Sequence, residues 1–146
     1  IEGEISVIRL SHSGARVAMI IDGHVYIAAV AQSSSGDKRI VNAREVGPEV
    51  SGSALSLDWN ADGSLIVGTS SSQSPVWRIE QDGSSASTMP TGNITAPVVA
   101  VATSPTKLFI TDSHAMLELP STVMDETNWR EVSGLQGRRS SPIVSN

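Results

Sequence analysis

The chain contains no cysteine among its 146 residues. Disulfides, zinc-thiolate sites and cysteine nucleophiles are therefore excluded within it. Aromatic residues make up only 3% of the composition against 39% hydrophobic residues overall, so the core must be built from Val, Ile, Leu, Ala and Met. No apolar run approaches the roughly 18 residues of a spanning helix. The sequence also lacks a basic excess. Lys and Arg number 10 against 15 Asp and Glu, for a net charge of −5, which argues against nucleic acid as a partner. The first residues, Ile1-Glu-Gly-Glu4, are acidic and lead straight into a strand. No signal peptide is read there, and any targeting signal is expected upstream.

What is present is a threefold repeat. Ser11-His-Ser-Gly14 leads into Arg16-Val-Ala-Met-Ile-Ile21, Asn60-Ala-Asp-Gly63 into Ser64-Leu-Ile-Val-Gly-Thr69, and Ser104-Pro105 into Lys107-Leu-Phe-Ile-Thr111. The turns begin at residues 11, 60 and 104, spacings of 49 and 44 residues. Each copy reads as apolar strand, tight polar turn, apolar strand. Periods of about 40–50 residues with four strands per unit characterise β-propeller blades. The expected fold is all-β, with three four-stranded antiparallel blades at about 4–46, 54–91 and 96–135. Most propellers have at least about four blades, so the chain reads as a segment of a larger one.

Further echoes tighten the alignment. Arg44-Glu-Val46 recurs as Arg130-Glu-Val132, and Asp22-Gly-His24 as Asp112-Ser-His114. Asp22-Gly23 is a strong hairpin signal because both residue types tolerate positive φ. Ser141-Pro-Ile-Val-Ser145 resembles Ala96-Pro-Val-Val-Ala100, so residues 140–146 read as a strand that begins a further blade and closes a ring. Three blades expose two apolar faces and an unpaired closing strand. The isolated segment is therefore expected to self-associate, most simply as a twofold dimer with Ser141–Ser145 of one chain against the other.

No catalytic constellation emerges. His12, His24 and His114 lack ligand spacing and a surrounding carboxylate cluster, and no metal or cofactor is assigned. Gly68-Thr-Ser-Ser-Ser72 lacks the second glycine of a nucleophile elbow. Asp22 and Asp62 are explained by turns. Asp58, embedded in an inner strand, lines the channel or, more in keeping with such positions, bonds a neighbouring blade. Trp77 aligns with Tyr26 as a packing position, while Trp129 aligns with Ala43 on an outer strand and is expected to be exposed. Asn93-Ile-Thr95 matches a glycosylation acceptor, a short and weakly specific pattern. The candidate partner contacts are His24, Gln73, His114 and Trp129.

The order Ser-x-x-Gly-x-x-Val-Ala from Ser11, Asp22-Gly-His-Val-Tyr-Ile-Ala28, Leu57-Asp-Trp59, Trp129-Arg-Glu-Val132 and Leu135-Gln-Gly-Arg138 resembles the β-propeller of LpqB-type lipoproteins of actinobacteria. The resemblance covers nearly the whole chain. It implies an exported lipoprotein held to the cell membrane by an acylated cysteine upstream, and an association with a sensor histidine kinase of a two-component system. The expected function is then a non-enzymatic cell-envelope module that binds protein, with the extracellular part of that kinase as partner. The rival is a carbohydrate-binding or hydrolytic propeller with its site in the axial channel. A third reading, an intracellular scaffold of the WD40 kind, is weakened because the one Asp adjacent to a Trp precedes Trp59 in a first strand.

Overall fold

A computed structural model describes residues 3–46, 52–80, 83, 85–89, 94–120 and 129–132. These residues form twelve strands in three sheets, each of four consecutive antiparallel strands. Blade 1 is β1 (Ile5–Leu10), β2 (Arg16–Ile21), β3 (His24–Gln32) and β4 (Lys38–Glu45). Blade 2 is β5 (Ala54–Trp59), β6 (Leu65–Thr69), β7 (Val76–Ile79) and β8 (Ala86–Thr88). Blade 3 is β9 (Ala100–Thr103), β10 (Lys107–Thr111), β11 (Met116–Pro120) and β12 (Arg130–Glu131). The expected all-β fold of three four-stranded antiparallel sheets is what the chain adopts.

The second strand of each blade explains why the sequence reads as continuous apolar runs rather than as alternation. Every residue of β6 is buried. Leu65 and Val67 join a cluster with Ala18, Ile20, Val25 and Ile27 of blade 1, while Ile66 joins one with Leu108, Ile110, Leu117 and Leu119 of blade 3. Blade 2 is thus sandwiched, and each face is a sheet-on-sheet core. Each such aliphatic side chain contributes about 1.5–3 kcal/mol on burial. With aromatics scarce, one fully buried indole sits in each core: Trp59 in the first, with Trp77 half-buried against it, and Trp129 in the second, 1% and 2% exposed for the two buried rings.

Corresponding turns close corresponding strands. Val46 donates its N–H to Val25 O, Met89 to Val76 O and Val132 to Met116 O, at 2.9, 3.0 and 2.9 Å. The recurring Arg-Glu-Val run therefore marks the end of an outer strand and its return to the start of the third strand. Two strands start later than the apolar runs Ala96-Pro-Val-Val-Ala-Val-Ala102 and Pro75-Val-Trp-Arg-Ile79 suggest. Apolar character from Ala96 suggests a strand there, yet β9 starts at Ala100. Pro97 has no N–H to give a ladder, and the next amide, Val98 N, goes to Thr69 O of blade 2 at 3.0 Å. Pro75 likewise lies just outside β7, which starts at Val76. The closing strand read at 140–146 and the acceptor Asn93 lie outside the described residues.

Candidate functional site at the hairpin rim

The β2–β3, β6–β7 and β10–β11 connections lie at one end of their sheets, and they carry three of the candidate residues. In blade 1 the turn is Asp22 (φ 51°) and Gly23 (φ 81°), the left-handed pair that matches hairpin twist. It presents His24 at the first position of β3, exposed, with Nδ1 3.0 Å from Glu45 Oε2 at the end of β4. The pair is open to water, with side chains 62% and 51% exposed, so it contributes little to stability.

In blade 2 the connection is held by hydroxyls. Thr69 Oγ1 donates to Ser74 O at 2.8 Å, and Ser71 Oγ accepts the Gln73 and Ser74 amides at 3.3 and 3.2 Å. Gln73 is held by its backbone and its side chain is exposed. In blade 3 the buried Asp112 carboxylate accepts His114 N at 2.8 Å, Ala115 N at 2.9 Å and Thr95 N at 2.9 Å. The turn is therefore rigid under an exposed His114. The repeat located the two histidines, but Asp112 as the organiser of its turn was missed. Its signal was the Asp two residues before His114, a common turn-capping arrangement.

Blades are tied to one another along this rim. Ala54 N donates to Gly23 O at 2.9 Å between blades 1 and 2, and Val98 N to Thr69 O at 3.0 Å between the approach to blade 3 and blade 2, while Ser53 N to Ser70 Oγ at 2.8 Å and Ser70 N to Ser53 O at 2.9 Å close the end of blade 2 itself. The rim thus carries His24, Gln73 and His114 on a cross-linked frame. The three side chains do not hydrogen-bond one another.

Trp129 does not belong with them. It was expected to be exposed, but it is 2% exposed and packed among Ile66, Val98, Leu108 and Leu119. The position precedes β12, and the indole turns into the blade 2–blade 3 core, which has no other aromatic large enough to fill it. With Trp59 also buried and Trp77 half-buried against the other core, two of the three indoles offer no ring face to a sugar.

The opposite rim holds a pocket of about 240 Å³ between the β1–β2 and β5–β6 turns, lined in part by Ser11, His12, Arg16, Trp59 and Asp62. His12 Nε2 donates to Trp59 O at 3.2 Å and closes one wall. Asp62 is engaged by Arg78 Nη2 at 2.9 Å, and Arg78 Nη1 binds Glu80. Partial burial raises the Asp62 carboxyl, but the Ser64 hydroxyl and amide, together with Arg78, outweigh it and hold the group below its ordinary value. Arg78 in turn is raised, its desolvation being outweighed by Asp62 and Glu80. This ion-pair group was not read from the sequence. Gly68 and Thr69, the start of the serine-rich run, lie inside β6 and form no strained elbow. Among the described residues, no three His, Cys, Asp or Glu side chains come together to hold a metal.

Comparison with known proteins places this frame. Residues 1–145 match the family described as the lipoprotein LpqB β-propeller domain. The chain belongs to this family. It is 49% identical over 140 residues to lipoprotein LpqB of Corynebacterium diphtheriae, covering 96% of this chain and 24% of that protein. It is 42% identical over 141 residues to lipoprotein LpqB of Corynebacterium jeikeium, and 40% identical over 141 residues to that of Rhodococcus jostii. Each comparison again covers 24% of the relative. The chain therefore spans about a quarter of the length of the curated relatives it matches.

Proposed function

We propose that this segment is a non-catalytic, protein-binding part of an envelope lipoprotein, presenting the rim that carries His24, Gln73 and His114 to a partner. Supporting this reading is the construction of the rim: exposed polar side chains stand on turns held by hydrogen bonds of their own, and the first two turns are also bonded to the following blade, rather than on free loops. Such a surface is pre-organised, so binding orders little of it. The partner is the extracytoplasmic domain of an envelope sensor histidine kinase, which the resemblance of the sequence implies. The lipid anchor would be supplied by polypeptide outside this segment.

Titration of the chain with the extracytoplasmic domain of its organism's envelope sensor kinase tests the proposal. The triple variant His24→Ala/Gln73→Ala/His114→Ala is expected to bind at least about tenfold more weakly, since three rim contacts are removed from a fold left intact. Absence of binding by the parent, or equal binding by the triple variant, overturns it.

A further inference from the structure

The end of the molecule opposite the candidate rim carries two turns of the same build. Ser11-His-Ser-Gly14 closes with Gly14 N donating to Ser11 O at 2.9 Å, and Asn60-Ala-Asp-Gly63 with Gly63 N donating to Asn60 O at 3.0 Å. Each ends on a glycine at positive φ, 77° and 91°. The shared backbone sets unlike side chains at equivalent places: His12 and Ser13 at the centre of one turn, Ala61 and Asp62 at the centre of the other. The pocket of about 240 Å³ between them has one wall from blade 1 and one from blade 2, two adjoining blades of this chain.

The walls differ in charge and in hydrogen-bonding sense. On the blade 1 wall, Ser11 Oγ accepts Arg16 N at 3.1 Å and Ser13 Oγ accepts Ala15 N at 3.3 Å. The two hydroxyls lie 3.4 Å apart, so one donates to the other and the second proton is left to give away. Arg16 lines the same wall, and its guanidinium is a permanent cation with five N–H donors. On the blade 2 wall, partial burial of Asp62 is outweighed by Ser64 and Arg78, so the carboxylate is ionised at neutral pH. Arg78 does not cancel that wall's charge, because it also pairs with Glu80 and one guanidinium then faces two carboxylates. Asp62 Oδ2 accepts Arg78 Nη2 alone and keeps a second lone pair. His12 Nε2 donates to Trp59 O, which leaves Nδ1 as an acceptor in the neutral ring.

We infer that this pocket is a binding site for a small zwitterion of the α-amino acid class. The ligand carboxylate meets the serine hydroxyls and Arg16, and its ammonium meets Asp62 Oδ2 and His12 Nδ1. A ligand of one charge would leave the opposite wall unanswered. Size sets the class as well: sites for drug-sized ligands begin at roughly 300 Å³, and this pocket lies below that.

Calorimetric titration of the 146-residue chain with L-alanine, joined to amide chemical shifts, tests this. Half-saturation is expected at or below about 1 mM, with shifts confined to Ser11–Arg16 and Asn60–Ser64. N-acetyl-L-alanine, which lacks the ammonium, and L-alaninamide, which lacks the carboxylate, are each expected to bind at least about tenfold more weakly. Asp62→Asn is expected to weaken L-alanine at least about tenfold and Ser13→Ala at least about threefold, with unchanged far-ultraviolet spectra. Ser13→Ala leaves the ion pairs of Asp62 in place, so its effect cannot come from a disturbed Arg78. Four results overturn the proposal. The first is no saturable binding by about 10 mM. The second is equal binding of either singly charged analogue, which would mark a site for an anion or a cation alone. The third is a set of shifts away from the two turns, and the fourth is an affinity unchanged by either variant.

Discussion

The Asp58 carboxylate on the inner strand of blade 2 accepts the backbone N–H of Thr103, at the end of the inner strand of blade 3, at 3.0 Å. Its other oxygen accepts Trp59 N at 2.9 Å, and Thr103 Oγ1 donates to Trp59 O at 2.6 Å. One acid thus fixes the end of its own strand and the next blade. The neighbouring junction is made differently, with Trp59 Nε1 reaching back to Arg9 O at 3.0 Å. In both cases the last residue of an inner strand reaches to the preceding blade. Asp58→Ala leaves the Thr103 amide without its acceptor and is expected to lower stability by about 1–3 kcal/mol. A urea-denaturation midpoint checks this, and a midpoint equal to the parent's would show that water replaces the carboxylate at no cost.

Gly23 is fixed by two independent constraints. Its φ of 81° lies in the left-handed region, and a Cβ there would stand 2.9 Å from Ser53 Oγ. Gly23→Val is expected to cost about 1–3 kcal/mol from backbone strain alone. It should also disturb the Ala54 N to Gly23 O bond between blades. Hydrogen exchange at Ala54 is the measurement, and faster exchange than in the parent is expected.

The Asp62 carboxyl is held below its ordinary value of 3.8, which gives a pH dependence of known sign. A carboxyl lowered in the folded state contributes stability above its unfolded value and loses it as pH falls through the folded one. Ser64→Ala removes the hydroxyl that bonds Asp62 Oδ1 at 2.6 Å. The parent is expected to exceed this variant in stability at neutral pH, with the gap narrowing as pH drops below 3.8. The side chain of Asp62 is 45% exposed, so the effect is screened and salt-sensitive. Denaturation midpoints at two pH values and two salt concentrations measure it.

Trp129 is expected to behave as a core residue. Trp129→Ala should cost about 3–5 kcal/mol, the range for emptying a large buried site. The parent's tryptophan emission should shift little on adding aqueous quencher. Strong quenching together with a small loss of stability would restore the reading of an exposed indole.

The contrast between Trp129 and Asp22-Gly23 shows what the sequence could disclose. The hairpin was legible because its cause is local: two adjacent residues that accept positive φ. Trp77 was legible as the partner of Tyr26 because both follow a valine near the start of a third strand, and repetition exposes such positions. The alignment of Trp129 with Ala43 misled because a repeat fixes backbone position, not the volume left to fill between two sheets. For the rim, the repeat located His24 and His114. The Asp112 network and the Arg78 ion pairs depend on which turns meet in space, and that information is not carried by any one blade's pattern. The same holds for the residues just before β9, where Val98 N turns to Thr69 O of blade 2.

Gly68 and Gly14 separate crowding from backbone strain in one experiment. Gly14 has φ of 77° and open space where a Cβ would stand. Gly68 needs no left-handed backbone, yet its Cβ would meet Ser56 Oγ at 2.5 Å, Val98 Cγ1 at 2.6 Å and Val98 O at 2.8 Å. Gly14→Ala should therefore cost about 1–2 kcal/mol, through φ alone. Gly68→Ala should cost about 1–3 kcal/mol through overpacking, because the close atoms include backbone that cannot rotate away. A second substitution distinguishes the sources. Val98→Ala removes the Cγ1 contact but leaves Val98 O in place, and that oxygen also accepts Ser56 Oγ at 3.2 Å. The double variant Gly68→Ala/Val98→Ala is thus expected to remain less stable than Val98→Ala alone, with the deficit read from urea midpoints. Full recovery would place the crowding in the valine side chain, and the two blades would then be free to approach without Gly68.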